Sequence, residues 1–467
     1  MILPLSLLSL LGLLSLGLLA SPWPYLAPGA VLGLAGLLAL YRKPAWGLLA
    51  IIALVPFEGV FKDSELTGAK LIGASLAVIV LLQLAVGQLS GERLRSNQWR
   101  LLLPLLALYG LSLWLSDDSG VSLGHLRMMA VGFVLFAITL LVGRELNLTL
   151  LCQAISVSVA ITCALAVFSA RFQELGRARG LLDDANVFAM LIAVAVPLAL
   201  WALLNSRRWL LRLLWLTCLG LLLVGMTKTE SRSGLVVLLI SLGIAVVHYR
   251  AWFKRIRPRH LGFVMLGLAL LLPAVAMVMP AKYVERIESL VLLKSGASGN
   301  KDDSLGRRTS YLVVGSRLIR DNPMLGAGPG TFPLHYATTG YANRFAPNAK
   351  ASNLYRQAHN TYLELFSELG IPAGLLFCAM IALALHNLWQ ARGLWLAQGD
   401  QGRADLLTHL SMSMLAIGLF LMFLSAPNHK YLWIMLALSS VLRLQAEQAM
   451  TRWRTRAPSQ EAAPWSS

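Results

Sequence analysis

Leucine-rich runs of roughly 16 to 24 residues recur along almost the whole chain. As a helix rising about 1.5 Å per residue, each run is long enough to cross about 30 Å of hydrocarbon. Inside lipid only a helix satisfies every backbone group of a segment this long, so the pattern restricts the fold to an all-α polytopic membrane protein. Composition excludes an ordinary soluble enzyme. Of 467 residues, 57% are hydrophobic and 13% charged, about half the charged fraction of a soluble domain.

Apolar segments centre near residues 11, 33, 53, 78, 108, 135, 159, 195, 217, 242, 271, 381, 416 and 438. Several are short or interrupted by Pro or Gly, so about 12 to 14 transmembrane helices are expected. The run from Ile2 to Ala20 has no basic stretch before it and no small-residue cleavage site after it, and reads as a retained helix rather than a signal peptide. Cys152, Cys163, Cys218 and Cys378 all lie in apolar segments without metal-ligand spacing. They read as small core residues, and neither a disulfide nor a metal site is expected.

The formal charge of +18 would suggest nucleic acid in a soluble protein; here it follows from topology, and no nucleic-acid partner is expected. Arg42 and Lys43, then Arg93, Arg95 and Arg100, then Arg207, Arg208 and Arg212 occupy alternate connections. Arg250, Lys254, Arg255, Arg257 and Arg259, then Arg392 and Arg403, then Arg443, Arg452, Arg454 and Arg456 continue the series. Short cytoplasmic loops retain Lys and Arg, so these connections and both termini are assigned to the cytoplasm.

The resulting organisation has N-terminal transmembrane helices over 1–280, a large external loop over 281–360, C-terminal transmembrane helices over 361–445 and a cytoplasmic tail over 446–467. The loop carries eleven basic residues against five acidic ones on the face the charge rule would keep neutral. Long loops translocate regardless of charge, so the orientation stands, but the charge needs another reason. Within the loop, Ser304 to Asp321 reads as an amphipathic helix ended by Asn322-Pro323, and Gly326-Ala327-Gly328-Pro329-Gly330 as a turn. A second helix is expected from near Ser352 through His359 and Glu364 to Gly370. The glycine run lacks the Lys-Ser/Thr ending of a nucleotide loop and follows no strand, so a phosphate cradle is disfavoured.

Lys70, Arg177, Arg179 and Arg232 fall at the outer ends of membrane segments. Each alone is explained about as well by snorkelling to lipid phosphate. Their shared placement beside a basic loop points instead to one bound anion, for which the planar guanidinium fork is suited. Ser231, within Thr229-Glu230-Ser231-Arg232-Ser233-Gly234, is a candidate N-cap, which does not account for Arg232. His359, followed by Asn360, Glu364 and Glu368, is the candidate proton acceptor. Interfacial histidines are more often polar anchors. Neighbouring arginines would keep this one neutral, the form a base requires.

These residues resemble the O-antigen ligase and O-antigen polymerase superfamily of bacterial envelope glycosyltransferases. The resemblance runs from about Lys70 to the last helix and is strongest in Thr229–Gly234, Ser304–Phe332 and His359–Gly374. His359, Asn360 and Gly370 meet the family pattern of His, then Asn, Ser or Gln, then Gly after nine further residues; Ala373 and Leu312 depart from common choices. The resemblance implies a GT-C type fold and a catalytic His at His359. It also implies phosphate-binding arginines at Arg232 and at Arg308, or Arg307 beside it, with supporting positions at Lys70, Arg177, Arg179 and Asn360. Asp184 and Asn186 follow Arg177-Ala178-Arg179-Gly180 in a second motif that looks like a cavity lining.

By the same resemblance the expected activity is inverting, metal-independent transfer of a glycan from undecaprenyl pyrophosphate to the lipid A core oligosaccharide. It would occur at the periplasmic side of the bacterial inner membrane among membrane lipids and without a cofactor, and the external face carries no DxD-like acidic cluster. An O-antigen polymerase shares the donor, and a protein O-oligosaccharyltransferase is a third relative, disfavoured by the short segment after Arg456. A transporter of lipid-linked sugars is the alternative of a different class. It predicts midplane charges and repeated halves, whereas the charges here gather at one face. Sugar, acceptor position and oligomeric state have no signal in the sequence.

Overall fold

The computed structural model describes residues 26–61, 68–250, 303–345 and 354–456, with a few positions before 26. Most of the expected span centred near 11, the expected span centred near 271, the loop stretches 281–302 and 346–353, with the expected helix start near Ser352, and residues 457–467 lie outside the described residues.

Among the described residues the chain is all-α apart from one very short ribbon, as a multi-pass membrane protein requires. In order the helices are α1 Leu26–Arg42, α2 Pro44–Leu54, α3 Gly68–Ala85, α4 Trp99–Trp114, α5 Ser119–Val142, α6 Leu148–Phe168, α7 Ala185–Asn205, α8 Trp209–Lys228 and α9 Arg232–His248. After the undescribed stretch come α10 Asp303–Asp321, α11 Phe332–Ala337, α12 Gly340–Phe345, α13 Thr361–Ala397, α14 Gln401–Phe420 and α15 Lys430–Arg456. Side-chain oxygens of Asp118, Asn147, Asp184, Ser231 and Asn360 accept from first-turn amides of α5, α6, α7, α9 and α13, satisfying donors the helix itself cannot.

Six described helices, α3, α5, α6, α7, α8 and α13, are long and apolar enough to cross a membrane, and the bent α1–α2 pair would make a seventh. α4 and α9 are apolar but shorter. α14 and α15 carry Arg403, Asp405, His409, Arg443 and Glu447 within their length, which dilutes their apolar character, yet both pack into the bundle: α13 lies against α15, α14 and α4, and α14 against α7. Small residues permit the close approaches. A Cβ on Gly132 of α5 would stand 2.4 Å from the ring of the buried Trp433 on α15. α15 continues to Arg456, so the stretch assigned to the tail begins as the end of the last helix.

Several of the basic residues assigned to the cytoplasm meet at one end of the bundle. Arg93 pairs with Glu145 at 2.6 Å beyond the end of α5, and Arg144, Arg403 and Arg452 line one cavity there. The described loop residues occupy the other end, where α10 packs on the beginning of α13 around Tyr311, Val314, Phe332, Tyr336, Ala358 and Leu363.

α10 closely matches the helix expected from the sequence, but the next one does not. Residues 354–360 are non-helical and α13 starts only at Thr361, because His359 takes φ 48, outside the helical region. Nor does the helix stop at Gly370, which adopts φ 85, ψ 172 as a break after which α13 resumes. The break frees backbone groups, partly because Pro372 has no N–H to offer. The glycine-rich turn repairs it. Ala327 N–H donates to Ser367 O at 3.0 Å, Gly328 N–H to Glu368 O at 2.9 Å, and Ile371 N–H donates to Pro323 O at 2.8 Å. Gly326, at φ 67, lies so close that a Cβ would fall 2.2 Å from the Glu368 carbonyl carbon. Gly326→Ala should therefore cost about 2–5 kcal/mol from backbone strain and overpacking, read as a lowered thermal unfolding midpoint in detergent.

Candidate functional site

The site is built where α7, α9 and α13 begin. β1 (Gln173–Glu174) and β2 (Arg177–Ala178) form an antiparallel ribbon, closed by Leu175 and Gly176 at φ 51 and 83, the paired positive φ of a tight hairpin turn. The ribbon carries Arg177 to the α8–α9 turn, where its Nε–H donates to Thr229 O at 2.9 Å and its Nη2–H to Asn186 Oδ1 at 3.3 Å. Ser231 Oγ donates to the same Asn186 oxygen at 3.0 Å and also caps α9 by accepting from Gly234 N–H. Asn186 thus joins the start of α7 to the start of α9, with Arg232 as the first residue of α9.

Glu230, buried at φ 52, precedes the Ser231 cap, as His359 at φ 48 precedes the Asn360 cap. Both helices are entered through a left-handed residue, uncommon for any residue but glycine. Asn360, which the resemblance implies as a supporting position, caps α13: its Oδ1 accepts from Leu363 N–H at 3.2 Å.

His359 lies half-buried with its ring centroid 6.0 Å from that of Tyr311. Burial holds its imidazole below the ordinary histidine range, Arg308, Arg356 and Arg307 push the same way, and the Asp184 carboxylate opposes them. The neutral state inferred from the sequence is thus supported, with burial rather than the arginines as its chief cause. Tyr311 meets the same three arginines, but burial raises its phenol. Asp184 is held by Asn186 N–H at 2.5 Å and Val187 N–H at 3.4 Å, so one carboxylate both caps α7 and influences the histidine. Arg308 lies over the Phe423 ring at 5.9 Å, within cation–π range.

The sequence-selected residues separate into groups. His359, Arg307 and Arg308 come together; Arg177 and Arg232 flank the Asn186 junction. Arg179 Nε is buried without a hydrogen-bond partner among the described residues, an arrangement that calls for an explanation such as a bound acceptor. Lys70 is exposed in the first turn of α3. Arg356, Tyr311 and Phe423 were not singled out from sequence; Arg356 had a signal in its position three residues before His359, whereas the other two are recruited by packing. Asp184 was noted only through its motif, without its influence on His359.

The glycine-rich turn is occupied by a side-chain carboxyl group from the chain itself. Gly330 N–H donates to Glu368 Oε2 at 2.7 Å and Phe332 N–H to Glu368 Oε1 at 3.0 Å. That accounts for the run as a structural turn filled by a carboxyl group. Among the described residues no group of three or more His, Cys, Asp or Glu could hold a metal ion.

Diethyl pyrocarbonate modifies only neutral imidazole, so peptide mapping across pH can follow His359. In Asp184→Asn the opposing charge is gone and the modification profile should move to lower pH. In Arg308→Gln a positive neighbour is gone and it should move to higher pH. Unmoved profiles in both variants would remove these groups from the histidine's surroundings.

A family model described as O-antigen ligase matches residues 217–378. That segment contains Arg232, Arg307, Arg308, Arg356 and His359 and leaves Lys70, Arg177 and Arg179 outside it. No curated protein matches the chain.

Proposed function

We propose, from the O-antigen ligase family model that matches residues 217–378, that the chain is an inverting glycosyltransferase that ligates O-antigen. The donor is a glycan on undecaprenyl pyrophosphate and the acceptor the lipid A core oligosaccharide, met at the periplasmic face of the bacterial inner membrane. The same reading takes the complete bundle as a GT-C type fold of about 12 to 14 spans.

The observation that carries it is a histidine kept neutral by burial among Arg307, Arg308 and Arg356 and facing Asp184, beside helix N-termini whose partial positive charge suits an anion. His359 takes the proton of the acceptor hydroxyl as its oxygen attacks the anomeric carbon. The bond from that carbon to the pyrophosphate oxygen breaks, and its electron pair leaves with the pyrophosphate. Attack opposite the leaving group inverts the anomeric centre. Arg308 and Arg232 stabilise the charge that develops on the departing pyrophosphate, with Arg179 supporting them. Asp184 stabilises the imidazolium once the proton has moved.

Polymerisation would use the same donor and the same groups, so a genetic readout separates the two. A strain lacking the protein should make lipopolysaccharide with bare core and no attached O-antigen on a gel. One repeat attached to the core would instead assign the protein to polymerisation, and an unchanged ladder would sink both.

A further inference from the structure

We propose that Glu364 is a positioning residue that sets His359 by tying the backbone on its N-terminal side to the α14–α15 turn, an inference that rests on the reading of His359 as the base. Glu364 is buried one turn into α13. Its Oε1 accepts from Ala358 N–H at 2.8 Å and from the Ser425 hydroxyl. The carboxylate therefore reaches back across His359 to the residue immediately before it and also grips a segment 61 residues away.

A simpler role is a variant of helix capping, in which an early Glu turns back to a preceding amide. Capping accounts for the Ala358 bond but not for Ser425. The same turn is also bound from the other side of His359. Thr361 N–H donates to Leu421 O and Leu424 O, both at 2.8 Å. Thr361 Oγ1 donates to Leu424 O at 2.6 Å and accepts from Ala426 N–H at 3.0 Å. His359 thus lies in a link held at both ends, by Ala358 and Thr361, and both anchors lead to the turn that carries Phe423 beneath Arg308. A non-glycine residue at φ 48 persists only where its surroundings over-determine it. Glu364 supplies that constraint from the N-terminal side, and it links the histidine and Arg308 to one common support. Glu368, one turn on, has a different task, since both its oxygens hold the glycine-rich turn.

Both bonds end on one oxygen, which permits a sharp test. The amide oxygen of Glu364→Gln can accept both, Glu364→Ala neither, and Ser425→Ala removes one. The full-length protein would be assayed in detergent with lipid-linked glycan and lipid A core across pH, and hydrogen exchange followed over residues 354–363. Glu364→Gln should keep kcat within about threefold, while Glu364→Ala lowers it about 10- to 100-fold, the scale of a misplaced reacting group, with donor KM changed less than about threefold. In Glu364→Ala the acid limb should move to higher pH as His359 loses its enclosure, and exchange over 354–363 should quicken; Ser425→Ala should fall between. If Glu364→Ala does not fold, Ser425→Ala and Glu364→Gln still decide the matter. Equal losses in the Gln and Ala variants would overturn the proposal, because charge rather than placement would then matter. So would unchanged rate and exchange in Glu364→Ala or, should that variant not fold, in Ser425→Ala. A wild-type protein that transfers no glycan, yet exchanges faster over 354–363 on Glu364→Ala, would defeat the functional reading and uphold the tether.

Discussion

Replacing His359 with alanine is expected to lower glycan transfer about 10³-fold, the middle of the range for a positioned general base. The assay is transfer from purified undecaprenyl-pyrophosphate-linked glycan to lipid A core, with donor binding measured separately and expected to stay within about threefold, since a base acts in the transition state rather than in donor affinity. Alanine at φ 48 also brings backbone strain. His359→Asn serves as the control, because asparagine tolerates the left-handed region and cannot act as the base. A shared loss places the effect in chemistry; full transfer by either variant would end the assignment.

The second large effect is expected at the arginines. Arg308→Ala and Arg232→Ala should each reduce kcat about 10²-fold or more, the scale for removing one preorganised group that stabilises developing charge. Arg308→Lys should recover only part, since a point charge lacks the planar fork. Both arginines are assigned to one leaving group, so the double variant should lose less than the product of the single losses. Arg307→Ala provides the comparison for the neighbouring position: a larger loss there than at Arg308 would exchange their roles. Donor affinity and turnover left intact in all of these variants would refute a bound pyrophosphate at this site.

Much of the local architecture was legible. The Ser231 cap, the helix ending at Asp321 and the turn at 326–330 all follow from neighbouring residue types, because caps, amphipathic periodicity and glycine turns are short-range effects. The start of α13 was misplaced for a related reason. The sequence Ser352–His359 contains nothing that forbids a helix, and what stops it is the left-handed His359, held by Thr361 and Glu364 against residues more than 50 positions away. Likewise Gly370 resembled a helix end. It became a break within a longer helix because the turn at 323–328 supplies partners for the interrupted backbone.

By itself the sequence determined that this chain is built of apolar helices with basic connections on one side and a cationic, histidine-bearing loop on the other, since the length of each run and the placement of charge relative to it are local properties. Only the tertiary structure decided that His359 is neutral chiefly through burial, that Asp184 opposes this, and that Glu368 rather than a ligand fills the glycine-rich turn. Those outcomes depend on the desolvation and hydrogen bonding created when distant segments pack together.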